Sequence, residues 1–334
     1  MTFKIVLANK VHDTITSKLE PFGQLALNKT DHPYSRDDLL KNCADAHALM
    51  AFMTETIDEA FLEACPNLKI IAGALKGYNN IDVDACSKHG VIVTIVPDLL
   101  TEPTAELTIG LMISVARKVI AGDQFIRQEG FQGWRPKFYG GSIQGSTIAV
   151  LGAGAVGQAI LKMLKGFDCK KLYVDKEALS PQTEHDLETK KVSLEEAQKT
   201  ADFIILALHL MHETFHLINQ GFITSMKPDS YLINPARGSL VDEAAIADAL
   251  EQGHLAGYAA DTFEMEDWAV EQRPRTINER LLTSKKTVLT PHIGSAVRAV
   301  REEIEHSAAC SIISLINGTM PDTAVNNLDL KIVG

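Results

Sequence analysis

Along the first hundred positions, short apolar runs alternate with stretches whose apolar residues recur every three to four positions. Runs at 5–7, 48–53, 68–72 and 91–95 predict strands. Helical spacing at 13–19, 57–65 and 83–89 predicts helices between them, and Ser35 is placed to cap one more, running to Cys43 with Asp37 and Asp38 in its first turn. Strictly alternating strands and helices imply a small parallel α/β domain, whose ligands bind beyond the carboxyl ends of the strands. Met53 and Lys76 both fall just past such ends. Val96-Pro97-Asp98 breaks the alternation, and one long helix, 105–127, reads as the crossing to a second domain. The stretch 129–142, with Phe131, Trp134, Phe138 and Tyr139, reads as an extended arm.

The alternation then resumes. Strands are predicted at 148–151, 171–175, 202–208, 231–234, 257–261 and 287–289. Helices are predicted from 158 to 165 and at 194–199, 243–251 and 296–316, the last carrying the chain back to its first domain. The expected architecture is α/β with two doubly wound parallel sheets: a Rossmann domain over 100–295, and a smaller flavodoxin-like domain over 1–99 and 296–334.

The stretch that organises the second domain is Thr147-Ile148-Ala149-Val150-Leu151-Gly152-Ala153-Gly154-Ala155-Val156-Gly157. A strand runs into G-x-G-x-x-G and a helix follows. Gly152 suits the tight turn, Gly154 the close approach of a pyrophosphate, and Gly157 the packing of helix on sheet. The first-turn N–H groups and helix dipole would face the phosphates. Asp175 ends the next strand, about 20 residues on, where a carboxylate accepts hydrogen bonds from the adenosine ribose. Its charge would repel a 2′-phosphate, so NAD is expected over NADP, although Lys176 follows directly and could soften that repulsion.

Composition narrows the partners. The 334 residues are 46% hydrophobic and 22% charged, as in a globular chain of about two domains. A formal net charge of −11 argues against nucleic acid or an anionic membrane as partner, though not against an anionic substrate in a cationic pocket. No apolar run is read as a membrane span, and the first residues read as a strand rather than a signal peptide. The five cysteines are scattered and form no C-x-x-C pair, which suggests reduced, buried thiols and a cytoplasmic protein.

Three more segments leave predicted strands with chemistry on them. Asn234-Pro235-Ala236-Arg237-Gly238-Ser239 carries an arginine suited to forked recognition of an oxyanion. Asp261-Thr262-Phe263-Glu264-Met265-Glu266 offers three carboxylates, and Thr290-Pro291-His292-Ile293-Gly294-Ser295 a histidine held between proline and glycine. Histidine with a carboxylate partner is the usual proton-transfer unit near neutral pH. A further stretch, His212-Glu213-Thr214-Phe215-His216, fits the zinc pattern H-E-x-x-H with His209 nearby. It follows a buried strand, where a connection rather than a long helix is expected, so no metal is expected.

These signatures together resemble the D-2-hydroxyacid dehydrogenase superfamily. Within it, the chain is similar to the phosphite dehydrogenases, from Val11-His12-Asp13 onward. The similarity is carried by Leu49–Met53, by Ala74-Leu75-Lys76-Gly77-Tyr78, by the stretch from Val96 to Thr101, by Phe131-Gln132-Gly133-Trp134, by Phe263 to Trp268, and by Gly294 to Arg301. The resemblance implies oxidation of phosphite to phosphate with hydride transfer to NAD. Arg237, Glu266 and His292 would be catalytic. Lys76, Gly77, Met53, Trp134, Ser295 and Arg301 would meet or surround the substrate. Thr104, Gly152, Gly154, Ala155, Val156, Gly157, Asp175, Lys176, Ala236, Asp261, His292 and Gly294 would bind the cofactor. It further implies a homodimer with the aromatic arm reaching towards the partner, and a site completed only when the two domains close. His209 departs from the family, which usually has proline there. The alternative reading is a D-2-hydroxyacid dehydrogenase of the glyoxylate or hydroxypyruvate type, in which Lys76 usually gives way to a small residue. An NAD-sensing corepressor is a third, against which stands the lack of long flexible extensions.

Overall fold

A computed structural model describes residues 3–267, 270, 272–326 and 328. Trp268, part of one stretch quoted above, lies outside them. The chain divides into two compact units, one taking residues up to Leu100 and again from Ala296, the other Thr101–Asp267 and Gln272–Ser295.

In the first unit the elements are β1 (Lys4–Leu7), α1 (Asp13–Leu19), β2 (Gln24–Leu27), α2 (Arg36–Cys43), β3 (Ala48–Ala51), α3 (Glu59–Ala64), β4 (Ile70–Gly73), α4 (Val83–Lys88) and β5 (Ile92–Thr94). Its sheet is parallel in the order β2-β1-β3-β4-β5. The central strands are buried on both faces, as a parallel sheet covered by helices requires. Ser35 caps α2 by accepting from Asp38 N–H, as its position before two aspartates suggests.

The second unit holds α5 (Thr101–Ala116), α6 (Val119–Glu129), β6 (Thr147–Leu151), α7 (Ala155–Met163), β7 (Lys170–Val174), α8 (Pro181–Leu187), β8 (Thr189–Lys191), α9 (Leu194–Thr200), β9 (Phe203–Leu206), α10 (Gln220–Ser225), β10 (Ser230–Asn234), α11 (Glu243–Gln252), β11 (Leu255–Ala260), α12 (Glu279–Thr283) and β12 (Thr287–Leu289). Its seven parallel strands run β12-β11-β10-β9-β6-β7-β8. Strand order reverses between β6 and β9, which opens the crevice where such sheets bind dinucleotides. The last helix, α13 (Arg298–Ile316), returns to the first unit and buries Ile304, Ala308, Ala309 and Ile312 in its core.

Several expectations change. The predicted helix 105–127 is two helices, because Lys118 takes a left-handed conformation with φ 53° and turns the chain between α5 and α6. Together with the preceding turn, α5 makes a 19-residue stretch, Asp98–Ala116, that by length and composition alone passes for a membrane span. Its apolarity has a local explanation: Ala105, Leu111, Met112, Val115 and Ala116 enter the core of the second unit. Strand 48–53 stops at Ala51, so Met53 sits on a loop. That loop is fastened by Asn80 Nδ2 donating to Phe52 O at 3.1 Å, and by Asn9 Nδ2 donating to Thr54 Oγ1 and Glu55 Oε1 at 3.0 Å. All five cysteines are free, but only Cys43, Cys65 and Cys86 are buried; Cys169 and Cys310 are partly exposed.

Candidate active site

The glycine turn has the geometry its spacing predicts. Gly152 has φ +100°, and a Cβ there would come within 2.3 Å of Ala207 O. At Gly157 a Cβ would lie 2.0 Å from Gly152 O, so only glycine lets α7 sit this close to the turn. Gly154 faces open space, with nothing within 4 Å of an added Cβ. Backbone N–H groups at the start of α7 are thus reachable by a phosphate. Asp175, just past β7, is tied to this turn: its Oδ2 accepts from Ala153 N–H at 2.7 Å, and its Oδ1 from Glu177 N–H at 3.3 Å. It can therefore shape the glycine turn as well as receive a ribose. Asp175→Asn keeps an acceptor for Ala153 but removes the charge. We expect it to raise the NADP-to-NAD ratio of kcat/KM at least about tenfold, as relief of a like-charge contact in a partly screened site would. An unchanged ratio in steady-state assays would place the discriminating acid elsewhere.

Arg237, Glu266 and His292 come from the carboxyl ends of β10, β11 and β12. Buried Asn234 at the end of β10 staples the arginine's loop, donating from Nδ2 to Arg237 O at 2.8 Å and accepting from Ala236 N–H at 3.1 Å. Gly238 lets that loop cross the next one, since a Cβ would lie 1.8 Å from Phe263 C. The Arg237 side chain is partly buried, and its Nη1 donates to Ala236 O at 2.7 Å. Burial pushes its pKa down, and the carboxylates of Asp267 and Glu266 oppose that shift. Glu266 spends one oxygen on its own turn, accepting from Phe263 N–H at 2.6 Å, and aims the other at His292 Nδ1, 2.7 Å away. An ionised carboxylate only accepts, so Nδ1 carries a proton and Nε2 is the basic nitrogen of the neutral ring.

Two buried aspartates support this triad. Asp261 Oδ1 accepts from Thr290 Oγ1 at 2.6 Å and from Ile293 N–H at 2.8 Å, and its Oδ2 accepts from Gly294 N–H at 2.8 Å. It thereby holds the loop in which His292 adopts φ 54°. Its pKa is raised by burial, against the pull of these hydrogen bonds. A Cβ at Gly294 would lie 3.2 Å from both Asp261 Oδ2 and Thr104 Oγ1, so Thr104 on α5 adjoins the same loop. The sequence reading did not single out Asp267. It is buried, accepts from Ser239 N–H at 2.6 Å, and acts electrostatically on Arg237. Its signal was its place directly after Glu266, on the loop that crosses Gly238.

The other expected site residues are distributed over both units. Lys76, Gly77, Met53 and Arg301 belong to the first unit. Lys76 pairs with exposed Asp98, and burial pulls its pKa below the usual lysine value. Arg301 lies with its guanidinium carbon 5.8 Å from the centre of the Phe52 ring. Trp134 is 81% exposed on the segment after α6. Ser295 is buried beside the His292 loop. Residues 212–216 form a turn and not a helix, and His216 Nε2 lies 3.1 Å from Glu264 Oε2. Among the described residues no group of three or more histidine, cysteine and acidic side chains is disposed to hold a metal.

Residues 109–294 match the family described as "D-isomer specific 2-hydroxyacid dehydrogenase, NAD binding domain". The chain belongs to this dehydrogenase family. A glyoxylate reductase of Pyrococcus horikoshii is 36% identical over 334 residues, covering 98% of this dehydrogenase and 97% of the relative. One of Thermofilum pendens is 37% identical over 309 residues, covering 90% and 88%. Among solved structures, the TT0316 protein from Thermus thermophilus superposes with TM-score 0.87 at 30% identity, covering 97% of this dehydrogenase and all of that chain. A glyoxylate reductase of Paecilomyes thermophila gives 0.82 at 26% identity, covering 97% and 98%.

The second unit is thus an NAD-binding domain, and its turn fits the group: an open Gly154, a turn only glycine can make at Gly152, and a carboxylate at Asp175. When bound, the nicotinamide exchanges a hydride with the substrate. The dehydrogenase's own residues can hold an oxyanion at Arg237 and move a proton at His292 Nε2.

Proposed function

We propose that this dehydrogenase interconverts a small 2-oxo acid and its 2-hydroxy acid, of the glyoxylate or hydroxypyruvate type. The observation that carries the reading is the Glu266–His292 pair at 2.7 Å on the loops flanking Arg237. Arg237 would take the substrate carboxylate as a fork. His292 would give a proton to the oxo oxygen on reduction and take it from the hydroxyl on oxidation. Glu266 would hold the ring and stabilise its charged form. The balance is 2-oxo acid plus NADH and a proton, giving 2-hydroxy acid plus NAD. The relatives' names support this reading better than the next.

A second reading, oxidation of phosphite, is favoured by the charge at the carboxyl edge of the first unit's sheet. Lys76 follows β4, and Arg301 stands over Phe52, which follows the neighbouring β3. Two cations suit a dianion better than a monocarboxylate. Here His292 would take a proton from the water that attacks phosphorus, while hydride leaves phosphorus. Phosphite, water and NAD would give phosphate, NADH and a proton.

One absorbance assay at 340 nm separates the two. NADH consumed with glyoxylate or hydroxypyruvate, and none formed with phosphite, carries the first reading; the reverse carries the second. Lys76→Ala sharpens the comparison. Under the phosphite reading it raises KM for phosphite about 10- to 100-fold, the worth of a hydrogen bond between charged groups. Under the first reading KM for glyoxylate moves less than about threefold.

The exposed apolar face made by Val119, Ile120 and Ile126 of α6, continued by Phe131, Trp134 and Tyr139, supports a homodimer in which a second copy covers it. Light scattering should give twice the chain mass of 36.5 kDa. A monomer at micromolar concentration would overturn this.

A further inference from the structure

We infer that Glu305, seated by His12, is a positioning residue that holds Arg301 ready for the anionic substrate. The inference rests on the reading of Arg301 as a substrate-side cation.

Glu305 lies in α13 one turn beyond Arg301, and its side chain is 4% exposed. A carboxylate this buried is costly unless its oxygens are engaged. Both are. Oε2 accepts from the His12 main-chain N–H at 2.9 Å and faces His12 Nδ1, also at 2.9 Å. Oε1 stands 3.9 Å from Arg301 Nη2. His12 occupies the N-cap position of α1 yet makes no side-chain cap bond. Its ring turns to α13 instead, with Nε2 3.8 Å from Glu302 Oε1. The ring is thus lodged between two carboxylates of one helix, and it fixes Glu305 in turn. This accounts for the turn of the His12 ring, at the end of β1's outgoing loop, towards α13.

Arg301 also meets the Phe52 ring, its guanidinium carbon 5.8 Å from the ring centre. Phe52 begins the loop that carries Met53, the loop tied down by Asn9 and Asn80. Burial pushes the Arg301 pKa down, and the Glu305 charge opposes that. A flexible arginine would lose side-chain freedom on meeting a substrate, at a cost of about 0.5–1.5 kcal/mol, equivalent to about 2- to 13-fold in affinity. Glu305 and Phe52 have already exacted that ordering in the free protein. Had the role been stability alone, an apolar pair at this depth would serve as well.

A double-mutant cycle on the intact enzyme tests this, with glyoxylate plus NADH and with phosphite plus NAD as the two probes. Glu305→Gln keeps the shape and an acceptor for His12 N–H but loses the charge. We expect a 3- to 10-fold rise in KM for the anion that turns over, with kcat within about twofold and KM for the cofactor unchanged. In an Arg301→Ala background the same change should raise KM no further. His12→Leu, which leaves the carboxylate in place, should raise KM about two- to threefold and likewise do nothing without Arg301; it serves if Glu305→Gln fails to fold. Equal KM increments with and without Arg301 would make Glu305 merely structural and overturn the inference. So would an unchanged KM in Glu305→Gln when Arg301→Ala alone raises it. If Arg301→Ala leaves KM unchanged, or neither anion turns over, the site reading itself fails and the inference falls with it.

Discussion

Replacing His292 by asparagine is expected to lower kcat by about 10²–10⁴-fold, the usual worth of a positioned proton donor or acceptor. Asparagine is the informative choice because of the backbone. His292 sits at φ 54°, a conformation that asparagine adopts more readily than most residues. The Asp261 clamp on Ile293 and Gly294 uses main-chain N–H groups, so the loop is held in the variant too. What disappears is the imidazole whose Nδ1 is fixed by Glu266 and whose Nε2 would carry the proton. Cofactor affinity, measured by quenching of protein fluorescence, should move little. A variant that keeps more than a tenth of the parent kcat would remove His292 from the proton-transfer role under either substrate reading.

How much of this was legible follows the range of the interactions. The glycine turn was readable because each glycine answers a local steric demand, and the structure meets those demands at Gly152 and Gly157. The triad's strand ends were readable because apolar runs stop where loops begin. The break at Lys118 was not: a left-handed lysine carries no compositional mark, unlike a glycine. The short β2 and β8 were missed because they are sheet edges that bury little and so lack an apolar run. Asp261 was placed in the site, but its work, clamping the His292 loop through two N–H groups, is a tertiary fact. Asp267 was passed over for the same reason, since its partners Ser239 and Arg237 arrive from another strand end. Residues of one hydrogen-bonded loop announce themselves by spacing; a pairing across 28 positions does not.

Arg237→Lys is expected to cost about 10²–10³ in kcat/KM, the scale of losing one donor aimed at developing charge. The substitution keeps a positive charge, so it separates charge from shape. The loop around Arg237 is built for shape: Asn234 fixes its carbonyl, Gly238 threads it against Phe263, and the carboxylates of Asp267 and Glu266 act on the guanidinium. A guanidinium presents two parallel donors to an oxyanion while its remaining N–H groups face its neighbours. An ammonium offers a single point on a flexible stem and must be shared between substrate and those carboxylates. Lysine at this depth would also lose part of its charge, because burial lowers the pKa of an amine towards the working range. The variant's kcat/KM should therefore rise less steeply with falling ionic strength than the parent's, since less fixed charge remains to draw an anion in. Near-parental kcat/KM for Arg237→Lys with both glyoxylate and phosphite would show that a point charge suffices, and that the oxyanion fork lies on some other arginine.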